Sequence, residues 1–145
     1  MVGRRIDGMR VSEFGWTGTP LRRRLVELIL SGEKTAGAGL VTDYEAEGEE
    51  LPTVGERFVL LDFDDEPVGV IETTDVLVVR AADVDEQFAR DEGEGFESVA
   101  DWREAHERFF GLSAETHREF TGDPTWTFDD DSMVVCERFK LVRAL

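Results

Sequence analysis

Lys34 sits in Gly32-Glu33-Lys34-Thr35, where a helical pattern gives way to a strand-like one, and it is one of two lysines among 16 basic residues. A chain that otherwise uses arginine for charge keeps here the basic side chain that can give up its proton when desolvated. That property suits a lysine contacting a phosphate or carbonyl, or acting as a base, and Thr35 places a hydroxyl beside it. A plainer reading also fits, since a cation just past a helix C-terminus is favoured by the helix dipole. Asp91-Glu92-Gly93-Glu94-Gly95 puts three carboxylates on a glycine-rich stretch; one of them is a candidate base or partner for Lys34, and a solvated acidic turn is the competing reading. Trp102 and His106 lie one helical turn apart, so the indole and imidazole can line one wall. Such a wall, with Arg103 beside it, suits a nucleobase that stacks on an aromatic and hydrogen-bonds at its edge. A core-facing helix with a satisfied histidine is the alternative. Glu137 follows Cys136 in an otherwise apolar run, and a carboxylate turned inward needs a cationic or hydrogen-bonding partner.

Other chemistries are absent by motif. There is no phosphate loop, no Gly-x-Gly-x-x-Gly and no His-Glu-x-x-His. His106 and His117 are not accompanied by metal-ligand cysteines, so neither a metal nor a cofactor is expected. The single cysteine, Cys136, excludes an intramolecular disulfide.

The elements that must position these residues follow from periodicity. Thr19-Pro20 reads as an N-cap and first helical residue. Leu21, Leu25, Leu28 and Ile29 then form one apolar stripe, and Gly32 ends the helix. Residues 34–42 read as a strand and 43–50 as an acidic loop. Arg57–Phe63 and Pro67–Arg80 form a hairpin across Asp64-Asp65-Glu66. Short helices are expected at 83–90 and 113–120, and a longer one from Ser98, with Asp101 at capping-box spacing. Met133–Arg143 is a final strand. Helices grouped apart from runs of strands argue an α+β fold, best met by a small, mostly antiparallel barrel with helices packed at its side. Residues 1–13 are expected as an N-terminal arm and 14–145 as a single domain.

The chain has 145 residues with 33 acids and 16 bases, a net charge of −17. No apolar run approaches the ~20 residues of a membrane span, and the N-terminus lacks a secretory apolar stretch, so a cytoplasmic protein is expected. The charge is uneven: residues 1–40 carry a net +3 and the rest −20. Duplex DNA and long RNA are disfavoured partners, because each phosphate contact must be made against a repulsive field. A small or single-stranded ligand fits better, and an interaction protein is the competing class.

The run Leu28-Ile-Leu-Ser-Gly-Glu-Lys-Thr35 resembles the Gly-x-Lys-Thr signature of the ASCH domain family. The similarity continues through Leu51-Pro-Thr-Val-Gly55, Ile71-Glu-Thr-Thr-Asp-Val76, Phe88-Ala-Arg-Asp-Glu-Gly93, Asp101-Trp-Arg-Glu-Ala-His106 and Val134-Val-Cys-Glu-Arg-Phe139. It spans residues 14–143 in the family's order and is closest in character to the stand-alone bacterial branch. The resemblance implies a PUA-like barrel with a cleft for RNA or a nucleoside, centred on Lys34. Some small members hydrolyse N4-acylated cytidine with a Thr, Lys and Glu set, and others are ribonucleases. The resemblance puts the lysine at Lys34 and the glutamate at Glu92, but the threonine falls on Gly37. Thr35 or a water is then left as nucleophile, turnover is expected to be weak or absent, and Gly37→Thr is expected to raise it.

Overall fold

The computed structural model describes residues 4–145. Thr19 caps helix α1 (Pro20–Ser31): its Oγ1 accepts from the Arg22 N–H at 3.3 Å, and Gly32 closes the helix at φ 85°. The buried stripe is Arg22, Leu25, Val26 and Ile29, with Leu21 and Leu28 half-buried beside it. Ser98 caps the long helix α4 (Val99–Gly111), accepting from the Asp101 N–H while Asp101 accepts from the Glu97 N–H, each at 3.2 Å. Shorter helices are α2 (Val41–Glu47), α3 (Glu86–Asp91) and α5 (Ala114–Thr121).

Among the described residues six strands form one sheet: β1 (Arg5–Ile6), β2 (Met9–Ser12), β3 (Ala36–Leu40), β4 (Arg57–Leu61), β5 (Pro67–Arg80) and β6 (Met133–Ala144), in the order β1-β2-β4-β5-β6-β3. Every pairing is antiparallel except β2 with β4. Two apolar clusters hold the helices on it. Val26 and Ile29 of α1 pack with Phe58, Leu60, Ile71 and Phe139, while Phe88, Trp102 and Phe110 pack with Ala36, Leu40, Val134 and Cys136.

The α+β class stands, but the sheet does not close into a barrel. One edge of β4 is taken by β2, and β3 pairs with β6 alone, so among the described residues no ladder joins the two ends. The stretch expected as an arm contributes β1 and β2, held to the sheet by the register Arg10↔Phe58 and Val11↔Val59. The acidic segment expected as a loop is in part helix α2. It has no apolar stripe, and its order comes from tertiary contacts: Tyr44 lies against Gly39, Asp43 meets His117, and Gly48 ends the helix at φ 67°. The strand expected from residue 34 starts at Ala36.

Candidate functional site

Lys34 ends the turn after α1, its N–H bonded to the Leu28 carbonyl at 3.0 Å. Its side chain is 2% exposed. The Lys34 Nζ donates to Glu94 Oε2 at 2.8 Å and to the Glu92 carbonyl at 3.2 Å, and lies 3.8 Å from Glu92 Oε1. The loop after α3 can come this close because residue 93 is glycine. Gly93 adopts φ 69°, and a Cβ there would lie 2.1 Å from the Glu33 carbonyl oxygen.

Glu92 is 1% exposed, and its Oε2 has no hydrogen-bond partner among the described residues. That oxygen lies 3.4 Å from His106 Nε2. The other ring nitrogen, Nδ1, is 2.8 Å from the Trp102 carbonyl, which can only accept, so Nδ1 carries the proton. With the ring neutral, Nε2 is an acceptor, and two acceptors converge at one point. A ligand N–H or O–H placed there would satisfy both. Trp102 stacks under the imidazole at 4.2 Å, and Phe96 meets it edge-on at 5.9 Å, fixing its orientation.

Lys34, Glu92, Glu94 and His106 line a cavity of about 180 Å³ whose apolar walls include Phe14, Phe96 and Phe109. The buried guanidinium of Arg22 donates to the carbonyls of Phe14 and Gly15, at 3.1 and 3.2 Å, and so holds Phe14 in place. A second cavity, of about 360 Å³, adjoins the first at Phe14, Gly37, Ala38 and Phe109. Tyr44, Asp43, Glu137 and Arg10 line it. Burial raises the Asp43 and Glu137 carboxyls above their ordinary range, and burial with the nearby Glu137 raises the Tyr44 hydroxyl. Arg10 is engaged by Glu56 at 2.7 Å on two nitrogens. Both cavities thus carry more carboxylates than free cations. Among the described residues no group of three or more His, Cys, Asp or Glu side chains could hold a metal, and no helix is long and apolar enough to cross a membrane.

Of the residues singled out from sequence, Lys34, Glu92 and His106 come together. The others do not join them. Thr35 is exposed, and its N–H and hydroxyl both go to the Asp91 carbonyl, at 3.0 and 3.2 Å. Because β3 starts at Ala36, strand alternation does not govern 34 and 35, and Thr35 is no stand-in nucleophile. Trp102 is fully buried, so it orients His106 and has no face for a ligand. Arg103 turns away to Glu107 and Asp130, at 2.9 and 2.8 Å, over the Phe128 ring. Glu137 lies in the second cavity, accepting from the Thr73 hydroxyl at 2.6 Å rather than orienting a cation of the first. A Cβ at Gly37 would come within 3.1 Å of Phe14 Cε1, so a threonine there needs that ring to move. Sequence reasoning missed Phe14 and Phe96 as walls. Phe14 lies in a polar, glycine-dotted stretch with no periodicity to mark it.

The model of the ASCH domain family matches residues 11–143. A crystal structure of an ASCH domain from Lactobacillus crispatus JV V101 is 35% identical, with a TM-score of 0.75, over 91% of this chain and 78% of that one. A protein of Enterococcus faecalis V583 is 31% identical, with a TM-score of 0.78, over 91% of this chain and 75% of that one. No curated protein matches.

Proposed function

This chain belongs to the ASCH domain family, and from that premise we propose that the Lys34 pocket binds a small, unphosphorylated ligand of nucleoside type. One observation carries the reading: the buried, unpartnered Glu92 Oε2 lies 3.4 Å from His106 Nε2, beside the Lys34 ammonium. A buried acceptor left without a donor costs about 1–3 kcal/mol, and a ligand N–H relieves that cost. The exocyclic amine or acylamino group of a base supplies such a donor next to a ring acceptor that Lys34 can meet. Phe14, Phe96 and Phe109 supply the apolar walls, in place of Trp102. The cavity of about 180 Å³ has room for a ring and not for a duplex. With Glu13, Glu92 and Glu94 around one lysine, it also disfavours phosphate. An open cavity argues against a purely structural interaction module, whose cleft would be filled by side chains.

Hydrolysis of an N4-acylcytidine is the second reading, favoured by Lys34 Nζ lying 3.8 Å from Glu92 Oε1 in a buried site. Among the described residues lining the pocket none carries a hydroxyl or thiol, so the attacking group would be water, with Glu92 receiving its proton. Calorimetric titration with cytidine, N4-acetylcytidine, adenosine and a short single-stranded RNA at two salt concentrations tests the proposal. Saturable binding of a nucleoside with little salt dependence is expected, falling about tenfold or more in Glu92→Gln. Absence of nucleoside binding, or steeply salt-dependent binding of RNA alone, overturns it.

A further inference from the structure

The open edge of β3 lies where the two cavities meet. Strand β3 is Ala36-Gly37-Ala38-Gly39-Leu40, and among the described residues its outer side has no neighbouring strand. The Phe139 N–H donates to the Thr35 carbonyl at 2.9 Å, and the register pairs Gly37 with Glu137 and Gly39 with Val135. In an antiparallel ladder hydrogen-bonded pairs alternate with non-bonded ones. Counting from Thr35, the backbones of Gly37 and Gly39 face β6, and that of Ala38 faces away. Its N–H and C=O therefore point to the free edge, and among the described residues nothing bonds them. Ala38 lines both cavities.

The neighbouring side chains keep that edge open to a flat molecule. Gly37 and Gly39 share one face, and a Cβ on either would meet an aromatic ring: Phe14 Cε1 at 3.1 Å and Tyr44 Cε2 at 3.3 Å. Phe14 and Tyr44 thus lie on the strand on either side of Ala38, while the Ala38 methyl packs into the cluster around Trp102. The result is an unpaired donor and acceptor on one residue, close to two aromatic rings and next to the Lys34 pocket.

We infer that the outward N–H and C=O of Ala38 pair with an amide-type edge of the ligand, a lactam, amidine or acylamino group, as an added strand would. The inference rests on the nucleoside reading of the Lys34 pocket and adds the group that selects among nucleosides. Two polar walls then grip one ligand: Glu92 and His106 on one side, the Ala38 peptide groups on the other. A ligand of the same size and apolarity without an adjacent donor and acceptor would leave the edge unpaired and bind less well.

Amide NMR on the ¹⁵N-labelled protein, titrated with N4-acetylcytidine and with cytidine, tests this directly. Binding is expected to move the Ala38 amide proton downfield and slow its exchange with solvent. Ala38→Pro removes the donor, and because that N–H is outside the ladder a proline is tolerated there, as on edge strands generally. Its affinity for N4-acetylcytidine is expected to fall about tenfold, the worth of one such hydrogen bond. Wild-type binding with the Ala38 amide unmoved overturns the inference whether or not the proline variant folds, and so does a folded Ala38→Pro that binds as wild type. If the wild type binds neither nucleoside, the reading of the pocket fails and the inference falls with it; the wild-type titration separates the two failures.

Discussion

Gly93→Ala is the sharpest perturbation of the loop that brings Glu92 and Glu94 to Lys34. The substitution has two costs. The φ of 69° is a left-handed conformation that disfavours a side chain, by about 1–2 kcal/mol. The added Cβ would also lie 2.1 Å from the Glu33 oxygen, 2.6 Å from the Glu33 carbonyl carbon and 2.8 Å from Lys34 Cα. All three are backbone atoms, so the chain must part, at about 1–3 kcal/mol for an overpacked contact. The sum, about 2–5 kcal/mol, is large against a typical stability of ~5–15 kcal/mol. At ~4 °C per kcal/mol for a chain of this size it corresponds to a fall in Tm of ~8–20 °C. Gly95→Ala is the matched control: its φ is 92°, and among the described residues nothing lies within 4 Å of the added Cβ. It incurs the conformational cost alone, a fall of ~4–8 °C. Thermal unfolding followed by circular dichroism compares the two. Equal falls would refute the claim that the loop is pressed against the Lys34 backbone.

Lys34→Ala leaves the Glu92 and Glu94 carboxylates together without their cation; a loss of about 3–5 kcal/mol is expected in urea unfolding, partly recovered by adding Glu94→Gln, and a loss below ~1 kcal/mol contradicts the ion-pair account. Gly37→Thr alone, pressed against Phe14, is expected to cost about 1–3 kcal/mol and to give no gain in N4-acetylcytidine hydrolysis; measured turnover of ~1 s⁻¹ or faster would show that the ring yields. Burial raises the Glu137 carboxyl, so the native state gains from its protonation below the unfolded value of ~4.3 and loses that gain as pH rises through the raised native value. Glu137→Gln, which keeps an acceptor for Thr73, should therefore match the wild type near pH ~4 and melt higher near pH ~8; a variant that melts lower at the higher pH contradicts this sign.

The parts of the fold legible in sequence are those whose signals are local. Thr19-Pro20 with Gly32 delimits α1, Ser98 with Asp101 starts α4, and Asp64-Asp65-Glu66 turns β4 into β5, with Asp65 at φ 65°. What escaped depends on distant partners. The α2 segment has no apolar stripe of its own and is ordered by Gly39 and by His117 of α5. β1 and β2 join the sheet through a parallel pairing some 48 residues away, Arg10↔Phe58, which no hairpin signal announces. The site shows the same division. Lys34 stood out as one of two lysines at a helix-to-strand junction, the resemblance picked Glu92 from the acidic loop, and the helical spacing of His106 from Trp102 put both rings on one wall. The spacing does not say that one ring covers the other, so Trp102 is the support and His106 the surface. Thr35 failed because β3 starts at Ala36, two residues beyond the expected start, so its hydroxyl is not placed by strand alternation and bonds the Asp91 carbonyl instead.

The cavity between Lys34, Glu92 and His106 is proposed to take a nucleoside by offering Glu92 Oε2 and the neutral His106 Nε2 to one ligand donor. A crystal structure of the protein grown with N4-acetylcytidine tests it most directly. The base is expected between Phe14 and Phe109, with a ligand nitrogen within hydrogen-bond distance of both Glu92 Oε2 and His106 Nε2. A saturated complex with the nucleoside bound elsewhere, and those two atoms still facing each other unpartnered, would contradict it.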